Sequence, residues 1–229
     1  MYHRIFVALV VAAGAGCPAQ VTGPVAQEEP EAKATTDPPG APLEARLILK
    51  KETYTLDLGG KTPAEYRDAV KNHPPRVDVD LVLELKNTSA KEIKIWIVGD
   101  LRDETRQNGG DYVTLKLDLQ GPGAVNALVR EVETKPLTPP PTVHAVAPGK
   151  TWTLPITSLC HGTHGIAHNS EHRSYWTRAG DYTLTATFKT AVSPKPDGAK
   201  ETKWAHFEGG FVTVTTAPVK LKVVEKGKE

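Results

Sequence analysis

The sequence is short of almost everything that announces a chemistry. It has two cysteines, Cys17 and Cys160, and so no disulfide framework; the core must stand on packing. Its single methionine, Met1, rules out a methionine-based copper(I) site. Lysines and arginines number 28 against 27 acids, giving a net charge of +1, and the two signs are interspersed rather than blocked. With no basic stripe to neutralise phosphates, nucleic acid is not an expected partner. No apolar run approaches the ~20 residues of a membrane-crossing helix. Catalytic signatures are missing too. There is no G-x-S-x-G elbow, no H-E-x-x-H, no phosphate loop and no carboxylate pair in a context that suggests two tuned acids. Asp78 and Asp80 fall on the polar face of a strand, where charge needs no special explanation. No period of about 20–50 residues repeats, which sets aside propellers and solenoids.

What is present begins with a short basic start, His3 and Arg4, and an apolar run from Ile5 to Ala13. That is the shape of a secretory signal. Gly14-Ala15-Gly16-Cys17 resembles a bacterial lipobox, whose cysteine is lipidated and becomes the first mature residue. Ordinary cleavage after Ala15 also fits the small-x-small rule, through Ala13 and Ala15. The expectation is a signal peptide over residues 1–16, of lipoprotein type if Cys17 is lipidated. The protein is then exported, either periplasmic or held at the membrane through an N-terminal lipid anchor. Residues 17–42 are rich in Pro, Ala, Glu and Thr, and such a segment cannot bury enough surface to offset its ordering entropy. They read as a disordered linker, leaving residues 43–226 as one domain.

Within that domain the dominant period is two. Ala45, Leu47 and Leu49 alternate with polar or outward positions, as do Tyr54, Leu56 and Leu58. The clearest strand is residues 77–86, with Val77, Val79, Leu81, Leu83 and Leu85 on one face. Asn87-Thr88-Ser89 then reads as the turn of a hairpin to residues 92–98. Further alternation runs through Leu115, Leu117 and Leu119, through Trp152, Leu154 and Ile156, and through Tyr182, Leu184, Ala186 and Phe188. One helix is signalled, over about residues 62–72. Thr62 and Glu65 form a capping box around Pro63, and His73-Pro74-Pro75 ends it. About ten strands with turn signals every 8–14 residues argue for an antiparallel β-sandwich.

Several of these segments carry a resemblance. Asn87-Thr88-Ser89 between strands, Pro148-Gly149 before a strand, and Gly180-Asp181-Tyr182-Thr183-Leu184 resemble immunoglobulin-like and fibronectin-like modules of bacterial exported proteins. In those modules a tyrosine just after a glycine turn anchors a corner through its hydroxyl, and Tyr182 matches it. The same order over residues 81–186 resembles the Bacillus-type bacterial proteinase-inhibitor domain. The whole domain, from LDLGGKT to APVKLKVVE, is similar to a group of uncharacterised exported bacterial proteins. The fold expected is all-β: an immunoglobulin/fibronectin-like antiparallel sandwich with one short helix.

The densest chemistry lies between residues 160 and 172, where Cys160, His161, His164, His168 and His172 occur together. Thiolate and neutral imidazole are zinc and copper ligands, provided three or four converge on one ion. Glu171 stands beside them as an outer partner or fourth ligand. Gly162, Gly165, Asn169 and Ser170 disfavour a helix that would align the histidines, so the segment is expected to be a polar loop. Cys160 next to His161 also invites a reactive-thiol reading, but adjacent residues on an extended chain point apart and no orienting Asn or Asp is in view. A half-buried structural cysteine is the plainer reading. Among the four tryptophans, Trp96, Trp152, Trp176 and Trp204, Trp152 reads as core. Trp176 and Trp204 are the candidates for stacking on a sugar face.

The reading these features favour is a non-enzymatic, exported interaction or structural module of the cell envelope. It would need no cofactor, and its partner would be a protein or a glycan. The alternatives are a zinc- or copper-binding envelope protein using the 160–172 segment, and a carbohydrate-binding or protease-inhibitor module.

Overall fold

A computed structural model describes residues 33–97, 102–103, 114–131, 141–164, 169–202 and 207–227. The expected signal peptide, Cys17 and most of the linker lie outside the described residues.

The chain is an all-β sandwich with one short helix, as the alternation predicts. Its largest sheet is built on β13 (Gly180–Ser193), which has strands along both sides. One side bonds first to β16 (Val219–Glu225) and then to β15 (Gly210–Thr215). The other bonds to β7 (Thr114–Gln120) and then to β5 (Ile93–Ile97). The sheet is extended by β9 (Thr142–Val146) on β5, and by β1 (Thr35–Asp37) and β14 (Lys200–Glu201) on β15. β3 (Thr53–Leu56) is added to β16 in the parallel sense. A second sheet has β4 (Asp78–Asn87) between β2 (Leu43–Leu49) and β10 (Thr151–Ser158). A third runs β6 (Arg102–Asp103), β11 (Cys160–His164), β12 (Asn169–Trp176), β8 (Ala124–Glu131).

The inward faces are those that the period-two pattern marks. Val79, Leu81, Leu83 and Leu85 are buried while Asp78, Asp80 and Lys86 are exposed. Leu115, Leu117 and Leu119, and Tyr182, Leu184, Ala186 and Phe188, complete the same core. Burying one such large side chain contributes about 1.5–3 kcal/mol, so these alternating faces dominate the stability. The tyrosine corner forms: the Tyr182 hydroxyl donates to the Arg178 carbonyl at 2.7 Å. Helix α1 (Pro63–Val70) has the full capping box, Thr62 and Glu65 each satisfying the other's backbone. It buries no residue fully, and Tyr66 is its hold on the core.

Three expectations are corrected. Residues 87–89 do not close a hairpin. β4 already has β2 and β10 on its two edges, so the chain crosses to the largest sheet, where β5 bonds to β9 and β13. The crossing is fixed by Asn87, fully buried, whose amide donates to the Lys91 and Val146 carbonyls and accepts from Ser89. The linker expected to reach residue 42 gives way earlier, because Thr35–Asp37 adds as a strand to β15 and Ala41 is buried. The polar loop expected after Cys160 is instead a strand pair, β11 with β12.

Candidate functional site

The pairing of β11 with β12 sets Cys160 opposite Arg173 and His161 opposite His172. Because successive strand residues point to opposite faces, Cys160 shares one face with Arg173 and Glu171, and the two histidines share the other. The glycines and the Asn-Ser pair that argue against a helix are compatible with strands.

The Cys160 face is an ionic strap. Glu171 takes Arg173 at 2.6 Å and Arg76 at 3.1 Å, and Arg173 also donates to the Pro74 carbonyl at 2.8 Å. The strap fastens the segment leaving α1 onto β12. Arg76 is largely in solvent, so its pair adds little, whereas the Glu171–Arg173 pair is the sheltered one. Burial pushes the Cys160 thiol up from its ordinary pKa, and the charge on Glu171 adds to the shift. A raised pKa suppresses the thiolate, which is the nucleophile and the metal ligand.

The histidine face packs toward β7. His161 is 7% exposed, and its Nδ1 accepts the Leu117 N–H at 3.3 Å. That amide lies on the edge of β7 away from β13, so an imidazole takes the place of a neighbouring strand. An N–H can only donate, which makes Nδ1 the unprotonated nitrogen and puts the proton on Nε2. Burial, and then the neighbouring His172 and Lys116, lower the pKa of His161 to about 4. The His172 ring lies flat on it, with centroids 4.8 Å apart and planes inclined by 6°.

This arrangement bears on the zinc and copper reading. A nitrogen lone pair lies in its ring plane, and two nearly parallel stacked planes share no point at which both rings can meet an ion. Ligation through Nε2 of His161 would also require Nδ1–H, which would face the Leu117 N–H donor to donor. Cys160 is on the far side of the sheet. His168 and the side chain of His164 lie outside the described residues. Among the described residues, no group of three or more His, Cys, Asp or Glu is placed to hold a metal.

The tryptophans divide differently from expectation. Trp176 is 4% exposed and packs between Tyr54 and Tyr182, so it is core and offers no sugar platform. Trp152 packs against the core with His144 at 5.2 Å, and Trp204 lies outside the described residues.

Nothing in the residue pattern marks the edge of the third sheet. Among the described residues β8 has one neighbouring strand, β12, and its other edge carries none. It contains neither Pro nor Lys, its charged residues Arg130 and Glu131 fall only at its end, and Leu128 is 49% exposed. A run such as AVNALVRE reads equally well as an interior strand, so only the topology identifies it as an edge. Set against known proteins, this chain finds no matching family model, curated sequence or solved structure.

Proposed function

We propose that the chain is an exported, non-enzymatic β-sandwich of the cell envelope that binds a protein partner along one strand. The observation that carries this is β8: eight residues bonded, among the described residues, to β12 on one side only, apolar over most of its length before Arg130 and Glu131, with Leu128 exposed. A partner segment in extended conformation gains main-chain hydrogen bonds at such an edge, and the exposed leucine offers it an apolar contact. Export is supported by the N-terminal pattern, with Cys17 as the lipidation point. The non-enzymatic reading is supported by the two side chains best suited to chemistry. The Cys160 thiol is held protonated, and the acceptor nitrogen of His161 is spent on a backbone amide.

A photo-crosslinking side chain at Leu128, compared in cells with one at exposed Lys50, tests the strand. A discrete adduct specific to position 128 supports the reading, and equal labelling at both positions sinks it. Incorporation of labelled palmitate that is lost in Cys17→Ser tests the anchor separately.

A further inference from the structure

Helix α1 and the corner between β12 and β13 face each other across an open cleft of about 610 Å3. Arg67 and Asp68 line it from the helix with Lys71 at its C-cap, Thr177 and Arg178 from the corner, and Gly123 from the turn between β7 and β8. Three basic residues and one acidic residue therefore line it. None of the three is held in an ion pair with another described residue. Arg67 and Lys71 are one turn apart on the same helix face, where like charges oppose each other. The negative end of the helix dipole offsets some of that repulsion. It does nothing for Arg178, which comes from a different part of the fold and meets them across the gap.

The corner that carries Arg178 is rigid. Its carbonyl takes the Tyr182 hydroxyl at 2.7 Å, and Thr177 bonds the Gly123 carbonyl through its N–H at 2.9 Å and its hydroxyl at 3.1 Å. A Cβ on Gly123 would lie 2.7 Å from the Arg178 nitrogen and 2.9 Å from the Tyr182 hydroxyl, so only glycine allows this approach. The opposite wall is the capped helix, held through Tyr66. The two walls thus line one cleft with two arginines and a lysine. Guanidinium forks match the oxygens of phosphate. The surplus of two positive charges suits a dianion, and the volume falls in the range of small-molecule sites, about 300–1,000 Å3.

We propose that this cleft binds the phosphoryl group of a small soluble molecule, gripped by Arg178 from the corner and by Arg67 and Lys71 from the helix. The cleft touches β8 only at its first residue, Ala124, four positions from Leu128, and the proposal does not depend on the β8 edge.

Calorimetric or NMR titration of the full chain with inorganic pyrophosphate and with glycerol phosphate, at low ionic strength, tests it. Saturable binding with Kd below ~1 mM is expected, weakened at least ~10-fold by Arg178→Gln and by the pair Arg67→Gln with Lys71→Gln. Lys94→Gln, a neutralisation of an exposed lysine on β5, should leave affinity unchanged, and the ligand-free melting midpoints report that the variants fold. Three results overturn the proposal: no saturation by ~10 mM, equal weakening by Lys94→Gln, or affinity untouched by the cleft variants. Binding to phosphatidylglycerol vesicles without binding to either soluble phosphate also overturns it, in favour of a membrane headgroup.

Discussion

The Tyr182 hydroxyl reaches back four residues to the Arg178 carbonyl, 2.7 Å away, and in doing so closes the corner between the third sheet and the largest one. Tyr182 is 1% exposed, and removal of its hydroxyl takes the donor from the Arg178 carbonyl. Tyr182→Phe should destabilise the fold by about 1–2 kcal/mol in urea unfolding, at an unchanged m-value. Gly123→Ala should cost more, because the added methyl meets the Arg178 backbone rather than a movable side chain. If the two variants unfold with the wild type, the corner is ornamental.

Acid should loosen the molecule through His161. In the fold its pKa is lowered from 6.5 to about 4 by burial and by the nearby His172 and Lys116. The unfolded chain therefore binds a proton that the folded one refuses. The stability this residue contributes is complete above pH 6.5 and is lost as pH falls from there toward 4, by roughly 3 kcal/mol in all. Urea midpoints at pH 7 and pH 5 measure the slope. His161→Asn keeps an acceptor for the Leu117 N–H and should flatten it.

Asn87 is the tie between the second sheet and the largest. Asn87→Ala strips donors from the Lys91 and Val146 carbonyls and an acceptor from Ser89, a loss of about 2–4 kcal/mol. Asn87→Asp has nearly the same shape but gives up both donations and buries a charge. It should be at least as costly at pH 7, and thermal melts of the pair show whether shape or hydrogen bonding matters.

Thr190 makes a similar tie deeper in the sheet. Its hydroxyl donates to the Trp96 carbonyl at 2.7 Å and accepts the Trp96 N–H at 3.2 Å. Thr190→Val preserves volume and orphans both groups, which should cost about 1–3 kcal/mol, while Thr190→Ser should recover most of it. A valine variant as stable as the wild type would show that neither bond matters.

Cys160 should be a slow thiol. Burial raises its pKa, so labelling by iodoacetamide at pH 7.5 should run at least ~10-fold slower in the native protein than in urea. A native rate equal to the unfolded one would return the reactive-thiol reading to consideration.

The strand faces were legible wherever burial is one-sided. The alternation from Val79 to Leu85 and from Tyr182 to Phe188 follows directly from water on one side and core on the other. Strand partners were not, because pairing depends on which edges are already taken. Asn87-Thr88-Ser89 has the composition of a hairpin turn, and only the occupation of both edges of β4 by β2 and β10 makes it a crossing. The candidate site failed for a related reason. Residue type alone groups Cys160 with the histidines, whereas a strand pair sorts them by parity and sends Cys160 and His161 to opposite faces. β1 escaped notice because three residues beside Pro38 and Pro39 carry no periodic signal. Trp176 was misplaced because aromatic pairs such as Tyr175-Trp176 occur both in cores and on surfaces.

The parallel pairing of β3 with β16 sets the order of events during synthesis. β3 leaves the ribosome well before its one strand partner among the described residues, β16, which follows it by more than 160 residues. β13 likewise waits for β15 and β16 to complete one of its sides. The nascent chain thus cannot close its largest sheet until β16 has been made. For the exported protein proposed above, which must thread a translocation channel as an unfolded chain, that delay keeps the polypeptide passable until β16 emerges.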